Sequence, residues 1–315
     1  MNQSKIIKEG AMLTAIYITL LLIAAFVPVI TMIATFLLPV PFVIFAAKHG
    51  LKPSVLMFLV AVGLSILFAS VFSLPITVLM GIGGIMVGVS IHKKLSAYET
   101  WARGTIGFVA GLLFIVVFSQ FVFQVNIMSE IDQMINQSLQ TSKDLMEQFG
   151  LAGQTEEQLE LIEQQLGMLT DLIPVIIAFV AILLAFISQW ISYKIINRLE
   201  KKRLKFPPFR MFRLPVSLVW IYFFSLIFTF FELDTSGTLY LAVNNVLMLT
   251  GMLMTLQGFS FIFFYAHHKK MSKAVPIVCV IVTLLIPFLL LYLVRLLGII
   301  DIGFSLRDRL SRDKK

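Results

Sequence analysis

The chain has 315 residues, of which 59% are hydrophobic and 13% are charged, with a formal net charge of +8. Soluble domains carry about 25% charged residues, so this composition excludes an ordinary soluble protein. The single cysteine excludes an intramolecular disulfide and a cysteine-based metal cluster. The apolar residues form blocks that match the ~20 residues a helix needs to cross a ~30 Å hydrocarbon core. We therefore predict an all-α, polytopic membrane helix bundle.

Nine apolar segments occur in chain order, which predicts about nine (8–9) transmembrane helices. Their approximate bounds are 11–30, 31–47, 53–72, 74–91, 103–124, 172–193, 214–231, 239–265 and 275–297. The first two segments abut, and Pro28, Pro39 and Pro41 interrupt them. Because proline cannot donate a helix hydrogen bond, this predicts either a tight turn near 29–32 or a tilted helix followed by a re-entrant piece.

The first segment opens with "EGAMLTAIY", in which Ala11 and Ala15 are four residues apart and share one helix face. Small residues at this spacing let a second helix approach closely. The face is therefore predicted to pack either on the protein's own helices or on a partner.

Two more small-residue pairs, Gly84 with Gly88 and Gly107 with Gly111, occupy the fourth and fifth segments and predict close helix packing there. The stretch "GIGGIMVG" at 81–88 lacks the Lys-Ser/Thr ending of a phosphate-binding loop and follows no strand. We interpret it as a helix contact.

Basic residues predict the orientation, because cytoplasmic loops are enriched in Lys and Arg. They precede the first segment and follow the second, fourth, sixth and eighth. With the N-terminus in the cytoplasm all five regions face that side, which predicts a multi-pass protein of the bacterial plasma membrane. Nine crossings would place the tail outside, against this rule. Either the last segment, which contains Pro287 and Arg295, does not fully cross, or another segment is miscounted, or the tail is tolerated outside.

The predicted organisation has four parts: five spans over 1–124, an acidic insert over 125–171, the remaining spans over 172–300 and a charged tail over 301–315. The insert carries nine acidic residues and one lysine. Its helical spacing of apolar residues and the capping pattern "TEEQ" at 155–158 predict an extracytoplasmic acidic helical hairpin. The hairpin either rests on the bundle or the lipid surface, or binds a partner or caps a substrate.

Charged side chains are nearly absent from the predicted spans, which disfavours an ordinary ion-coupled carrier. Asn244, Asn245 and Gln257 are the candidates for lining a polar cavity, and hydrogen bonding between helices is the alternative. No Ser/His/Asp, Cys/His or paired-carboxylate arrangement is visible in one compartment. The sequence therefore indicates no catalytic residue, no metal site and no cofactor.

The loop over 194–213 is the strongest charge feature, with eight basic residues and one acidic residue. A polybasic segment beside a span attracts anionic lipid, which is the predicted contact at the cytoplasmic face. The loop lacks an aromatic stacking platform, so no nucleic-acid partner is expected. The candidate lipid contacts are Lys194, Arg198, Lys201, Lys202, Arg203, Lys205, Arg210 and Arg213.

Several stretches together resemble the YybS-like family of multi-spanning proteins of Gram-positive bacteria. They are "EGAMLTAIYITLLL" at the start, the acidic insert, "PPFRMFRLPVSLVW" at 207–220 and "LLGIIDIGFSLRDR" near the end. The resemblance extends over nearly the whole chain and implies a polytopic membrane protein.

The first six spans are also similar to the substrate-capture (S) components of energy-coupling-factor transporters, through Ala11 and Ala15 alone. In that family an alanine-x-x-x-alanine motif contacts a membrane coupling subunit. This chain departs from the family by about three extra spans, by its acidic insert and by a very short first loop.

Three function classes follow. The first is a transport-related protein that captures a small solute and docks a coupling subunit through Ala11 and Ala15. The second is a non-transporting scaffold or assembly protein that holds partners through the acidic insert or the basic loop. The third is a membrane enzyme, which no residue pattern supports.

Overall fold

The computed structural model describes residues 3–148, 170–231, 233–234 and 237–312, and every regular element in them is a helix. The chain divides into two compact units, Met1–Phe206 and Pro207–Lys315. Seven described helical stretches are long and apolar enough to cross a membrane, with Pro28–His49 counted as one. These observations show an all-helical protein with several apolar spans.

The first unit contains eight described helices. They are α1 (Gln3–Phe26), α2 (Thr31–Leu37), α3 (Val40–His49), α4 (Leu51–Ala69), α5 (Leu74–His92), α6 (Ala97–Val122), α7 (Ile127–Gln148) and α8 (Ile173–Glu200). The chain turns after α1 through a single 3-10 turn over Pro28–Ile30, close to the turn predicted at 29–32. Gly50 separates α3 from α4 with a φ of 77°, a conformation that glycine adopts without steric cost.

The fifth helix is the centre of the first unit. In α5, 72% of the most apolar stretch is buried inside the protein, against 17% in α6. It packs against α3, α4, α6 and α8, while α1 packs against α2, α3 and α4. The Tyr17 hydroxyl donates to Thr77 Oγ1 at 2.8 Å and so ties α1 to this centre.

Glycines bring the central helices to backbone distance. A Cβ on Gly84 would lie 2.6 Å from the Pro39 carbonyl oxygen, and one on Gly88 would lie 2.5 Å from that of Val43. On α6, a Cβ on Gly107 would lie 2.8 Å from Met86 Cβ, and one on Gly111 would lie 2.6 Å from Leu79 Cα. Any side chain at these four positions would push α3, α5 and α6 apart.

One end of the first unit collects its basic loops. Lys48 at the end of α3 pairs with Glu9 at the start of α1, with 2.7 Å between Nζ and Oε1. His92 at the end of α5 contacts the Ala47 carbonyl oxygen at 3.2 Å. Gln189 of α8 donates to the Ala97 carbonyl at the start of α6 at 2.9 Å. We call this the basic end of the first unit.

The acidic helix α7 follows α6 at the opposite end from these loops. A helix of 26 residues is about 39 Å long, so α6 carries the chain across the unit before α7 begins. On α7, Leu139 is buried, whereas Met134 and Leu145 are 67% and 49% exposed. The second helix predicted for the insert, which includes the "TEEQ" cap, lies outside the described residues.

The second unit contains five helices in its described residues. They are α9 (Ser217–Phe228), α10 (Thr238–His268), α11 (Ala274–Leu285), α12 (Pro287–Gly303) and α13 (Leu306–Arg312). The longest, α10, packs against α9, α11 and α12. Gly258 lies against the Val294 carbonyl and Gly298 against the Met254 carbonyl, so α10 and α12 touch backbone to backbone.

The prediction of one span over 275–297 is wrong, because this segment is two helices. Ile286, with φ −122° and ψ 68°, interrupts the helix, and Pro287 begins the next one. Proline disfavours helical backbone at the residue before it and has no N–H to continue the preceding ladder. A helix of 12 residues is about 18 Å long, which is shorter than a ~30 Å hydrocarbon core.

The chain therefore turns back at Ile286. Gly251 contacts Arg295, and further along both helices Gln257 contacts Asp301, so α12 runs parallel to α10. The residues after α12 return to the end of the unit that carries Arg210. Of the three explanations for the charged tail, this geometry favours a last segment that does not fully cross.

The glycine contacts lead to a first prediction. Replacing Gly88 by alanine should lower the free energy of unfolding by about 1–3 kcal/mol, because the new methyl group would overlap backbone of α3. The measurement is thermal unfolding of the purified protein in detergent, followed by tryptophan fluorescence.

The matched control is Gly63→Ala on α4, where a Cβ meets no atom within 4 Å. Alanine favours a helix over glycine by up to ~1 kcal/mol, so this variant should be neutral or slightly stabilised. Equal melting temperatures for the two variants would contradict the packing described for α5.

Candidate functional site

The first helix carries two small-residue faces that point in different directions. Gly10 and Thr14 are buried, and a Cβ on Gly10 would lie 3.2 Å from the ring of Phe45 in α3. Ala11 and Ala15 are exposed, as are the large side chains of Met12 and Ile16 beside them. The inward face thus packs on the protein's own helices, and the outward face, Ala11 with Ala15, is left uncovered by the described residues.

A charged cluster lies at the start of α1, on the side of Met12 and Leu13, at the basic end of the first unit. Glu9 pairs with Lys48 at 2.7 Å and with His49 Nε2 at 2.8 Å. The His49 side chain is only 1% exposed, and its Nδ1 atom has no hydrogen-bond partner among the described residues. A cavity of about 240 Å³ lies between these groups, Met12 and the end of α8.

The most completely bonded polar group of the second unit is the buried pair of Arg307 and Asp301. Each side chain is 2% exposed, and Arg307 Nη2 lies 2.8 Å from Asp301 Oδ2. Arg307 Nε donates to the same carboxylate at 2.9 Å. Burial lowers the pKa of the Arg307 guanidinium, and the Asp301 carboxylate acts in the opposite direction.

The remaining donors of Arg307 hold the segment over 207–214, which we call the strap. Arg307 Nη1 donates to the carbonyls of Arg210 at 2.8 Å and Phe212 at 3.1 Å. Nη2 also donates to Ser260 Oγ at 3.1 Å. An arginine has five N–H donors, so every donor of Arg307 has an acceptor here.

Two side chains of α10 complete the network. Ser260 Oγ lies 2.8 Å from the Phe209 carbonyl and 2.9 Å from that of Phe212, to which its hydroxyl can donate. Gln257 Nε2 donates to Asp301 Oδ2 at 2.6 Å, and Gln257 Oε1 accepts from Leu214 N at 3.0 Å. The strap, which contains the 3-10 turn Phe209–Met211, is thereby tied to α10, α12 and α13. Each polar group of this network bonds to another group of the protein, so the network holds the strap in place. We call Arg307, Asp301, Ser260 and Gln257 the clamp.

The three amides predicted to line a polar cavity separate in the structure. Gln257 borders a cavity of about 100 Å³ together with Arg213, Asp301 and Arg307, and neither Asn244 nor Asn245 lines it. Asn245 is buried and donates to the Leu241 carbonyl at 2.8 Å within its own helix. Asn244 is half-buried.

The eight basic residues predicted to contact lipid lie in both units. Lys194 Nζ is 3.4 Å from the centroid of the Trp190 ring, Lys202 pairs with Glu200 at 2.7 Å, and Arg213 pairs with Asp308 at 2.8 Å. The others do not share one arrangement: Arg210 is half-buried, whereas Arg198, Lys201, Arg203 and Lys205 are exposed. In the part of the chain that the structure describes, no group of three His, Cys, Asp or Glu side chains could hold a metal ion.

Sequence reasoning missed Glu9, Ser260, Asp301 and Arg307. Asp301 stands between isoleucines in "LLGIIDIG", and such an isolated acid in an apolar run was the signal that could have been followed. Its partners could not be identified from helix spacing, because Arg307 lies six positions away in the next helix and Gln257 lies 44 positions away in α10. The residues expected as a charged tail therefore include the centre of the clamp.

Comparisons with known proteins agree with the membrane architecture. Residues 15–302 match the model of a family described as "Predicted membrane protein (DUF2232)". "Uncharacterized protein YybS" of Bacillus subtilis (strain 168) is 31% identical over 311 residues, which cover 99% of this chain and 100% of that protein. No solved structure matches the chain.

The clamp generates the second prediction. Asp301→Asn should lower the free energy of unfolding by about 3–5 kcal/mol, because it leaves the Arg307 charge buried without its counter-ion. Asp308→Asn is the matched control, since its pair with Arg213 is half exposed and should contribute about 0–1 kcal/mol. Thermal and denaturant unfolding in detergent measure both.

A double variant tests the role of Arg307 beyond the ion pair. Asp301→Leu with Arg307→Met removes both charges but leaves the Arg210 carbonyl without its donor and the Phe212 carbonyl with only the Ser260 hydroxyl. This variant should therefore stay destabilised by about 1–3 kcal/mol. Full wild-type stability in the double variant would show that the strap does not need the guanidinium.

Proposed function

The chain belongs to the DUF2232 family of predicted membrane proteins, and we propose that it docks a helix of a coupling subunit as one component of a transport assembly. The proposed contact is the outward face of α1, Ala11 with Ala15. The observation that carries this proposal is that both alanines are exposed, whereas Gly10 and Thr14 on the neighbouring face of α1 are buried.

Two physical arguments support this docking face. Small residues four apart allow backbones to approach closely, which is the main source of helix association in lipid. The cavity beside Glu9, Lys48 and His49 is lined by Met12 and by neither alanine, so it would offer polar groups to a partner that extends from the docking face past Met12. The similarity of the first six spans to substrate-capture components of energy-coupling-factor transporters supports the same position for a coupling subunit.

We further propose that the chain lies in the bacterial plasma membrane with its N-terminus in the cytoplasm. The clustering of Lys48, His92 and the end of α8 at one end of the first unit supports this orientation under the positive-inside rule. The same orientation places the acidic α7 outside. The exposed lysines and arginines of 194–213 would then contact anionic lipid of the inner leaflet.

A scaffold that binds partners through the acidic insert is the second candidate function. The observation that favours it is the exposure of Met134 and Leu145 on α7, which leaves apolar surface on an otherwise acidic helix. The two candidates place the partner at opposite ends of the first unit.

The third prediction tests the docking face in the cells that produce the protein. A photo-crosslinking amino acid at position 11 should capture one membrane protein repeatedly, because the Ala11 face would lie against its helix. Ala15→Leu should lower the crosslink yield about tenfold, since a bulky residue at a close helix contact costs about 1–3 kcal/mol. Mass spectrometry of the crosslinked peptides identifies the partner.

Gly63 on α4 supplies the control, because it is exposed and open to space. A crosslinker at position 63 should not capture the same protein, and Gly63→Leu should leave the crosslink from position 11 unchanged. If position 11 captures only lipid or this chain's own helices, the docking proposal fails. If a crosslinker at Met134 captures the partner instead, the scaffold function is favoured.

A further inference from the structure

A cavity of about 330 Å³ opens at the end of the second unit where the strap meets α10 and the start of α11. Its volume falls in the range of ≈300–1,000 Å³ that is usual for small-molecule sites. The strap contributes Phe209 and Arg210, α10 contributes Phe263 and His267, and the α11 side contributes Lys273 and Ile277.

The charged groups of this cavity are all basic and have no counter-ion in the described residues. In the described ranges, the side chains of Arg210, His267 and Lys273 make no ion pair and no hydrogen bond, in contrast to Arg213, which pairs with Asp308. The cavity also faces the first turn of α11, a 12-residue helix, whose N-terminal dipole attracts negative charge. No acidic residue lines the cavity.

The floor of the cavity is apolar. Phe209 and Phe263 meet edge to face with their ring centroids 5.5 Å apart, and Ala266 and Pro276 are buried beside them. Ile277 continues this surface along α11 and is 49% exposed. Its apolar neighbours on the outer face of that helix are also exposed. A ligand that fits must therefore combine a negative group with an apolar chain.

We propose that this cavity binds one anionic phospholipid. Its phosphate would lie among Arg210, His267 and Lys273, and its acyl chain would follow Phe263 and Ile277 along α11. This proposal depends on the proposed lipid contact of the basic loop only in that the two share Arg210. It differs from that contact because it selects a single molecule in a formed cavity.

The buried clamp fixes the wall of this site. Arg307 Nη1 donates to the Arg210 carbonyl at 2.8 Å, and Ser260 Oγ holds the Phe209 carbonyl at 2.8 Å. On the strap these bonds use backbone carbonyls only, so they orient the strap while leaving the Arg210 guanidinium available to a ligand. Arg307 and Ser260 are positioning residues for the lipid, not contacts to it.

The experiment measures lipid binding to the full-length protein by native mass spectrometry. Dioleoyl phosphatidylglycerol is titrated against dioleoyl phosphatidylcholine after the protein is exchanged into a delipidating detergent. One phosphatidylglycerol should bind at least about tenfold more tightly than phosphatidylcholine, because it lacks the compensating choline charge. Equal binding of the two lipids would overturn the proposal.

Variants separate the cavity from the loop. Arg210→Gln with Lys273→Gln should weaken phosphatidylglycerol binding about tenfold or more and leave phosphatidylcholine binding unchanged. The control is Lys201→Gln with Lys205→Gln, which removes the same charge from exposed loop positions that do not line the cavity. If both double variants weaken binding equally, the loop attracts lipid by surface charge and the cavity site is refuted.

Two further experiments test whether the ligand needs an acyl chain and where on the protein it binds. Inorganic phosphate and glycerol 3-phosphate supply the negative group without the chain and should bind at least about tenfold more weakly than phosphatidylglycerol, since the apolar floor stays uncovered. Tight binding of either soluble anion would assign the cavity to a free phosphate compound. If the Arg210 and Lys273 variant does not fold, a photoactivatable phosphatidylglycerol on the wild-type protein should label residues 263–277, and labelling elsewhere only would refute the site.

Discussion

The buried ion pair between Arg307 and Asp301 is the constraint on which the second unit depends. A chain that leaves its helical form near a bilayer has backbone groups that neither lipid nor its own ladder satisfies. The strap has this difficulty at Arg210 and Phe212, whose carbonyls accept from Arg307 or Ser260. The charge of the guanidinium then needs a counter-ion in the same dry site, which Asp301 provides. A pair of this kind contributes little as an ion pair alone, because desolvation offsets its attraction. Its value lies in satisfying a stretch of irregular backbone.

Among the described residues, the central helices of the first unit pack through glycines and not through a buried polar network. They approach through Gly84, Gly88 and Gly107, so backbone lies on backbone without a polar group between them. In lipid such contacts gain from dispersion, since apolar side chains have no water to escape. The same reasoning explains why only one of the two small-residue faces of α1 is free to bind a partner. Gly10 is already matched to Phe45, whereas Ala11 and Ala15 have no matching surface among the described residues. A complementary helix packed on Ala11 and Ala15 would gain the same kind of close dispersion contact that α3 makes at Gly88.

The sequence predicted the helical class and several apolar spans, because composition and block length depend only on local hydrophobicity. From the prolines of the first two segments it predicted either a turn near 29–32 or a tilted helix followed by a re-entrant piece, and the structure has a 3-10 turn over Pro28–Ile30. It did not predict that 275–297 is a hairpin, since Pro287 is compatible with a kink, and only the contacts of Gly251 and Gln257 show that α12 runs parallel to α10. The clamp was missed for a related reason. Its members come from the strap, α10, α12 and α13, and periodicity within one helix carries no information about partners in another.

The hairpin and the clamp are linked through the position of Arg307. A single span over 275–297 would place the residues after it at the far end of α10, out of reach of Phe212. The break at Ile286 returns the chain, so that Asp301 ends beside Gln257 and Arg307 reaches the strap. Proline at 287 therefore does more than bend a helix: it brings the acid and the base of the clamp to the one place where irregular backbone needs them. The same return lets Arg307 hold the Arg210 carbonyl, so the fold of the last two helices is a condition for the wall of the cavity that Arg210, His267 and Lys273 line.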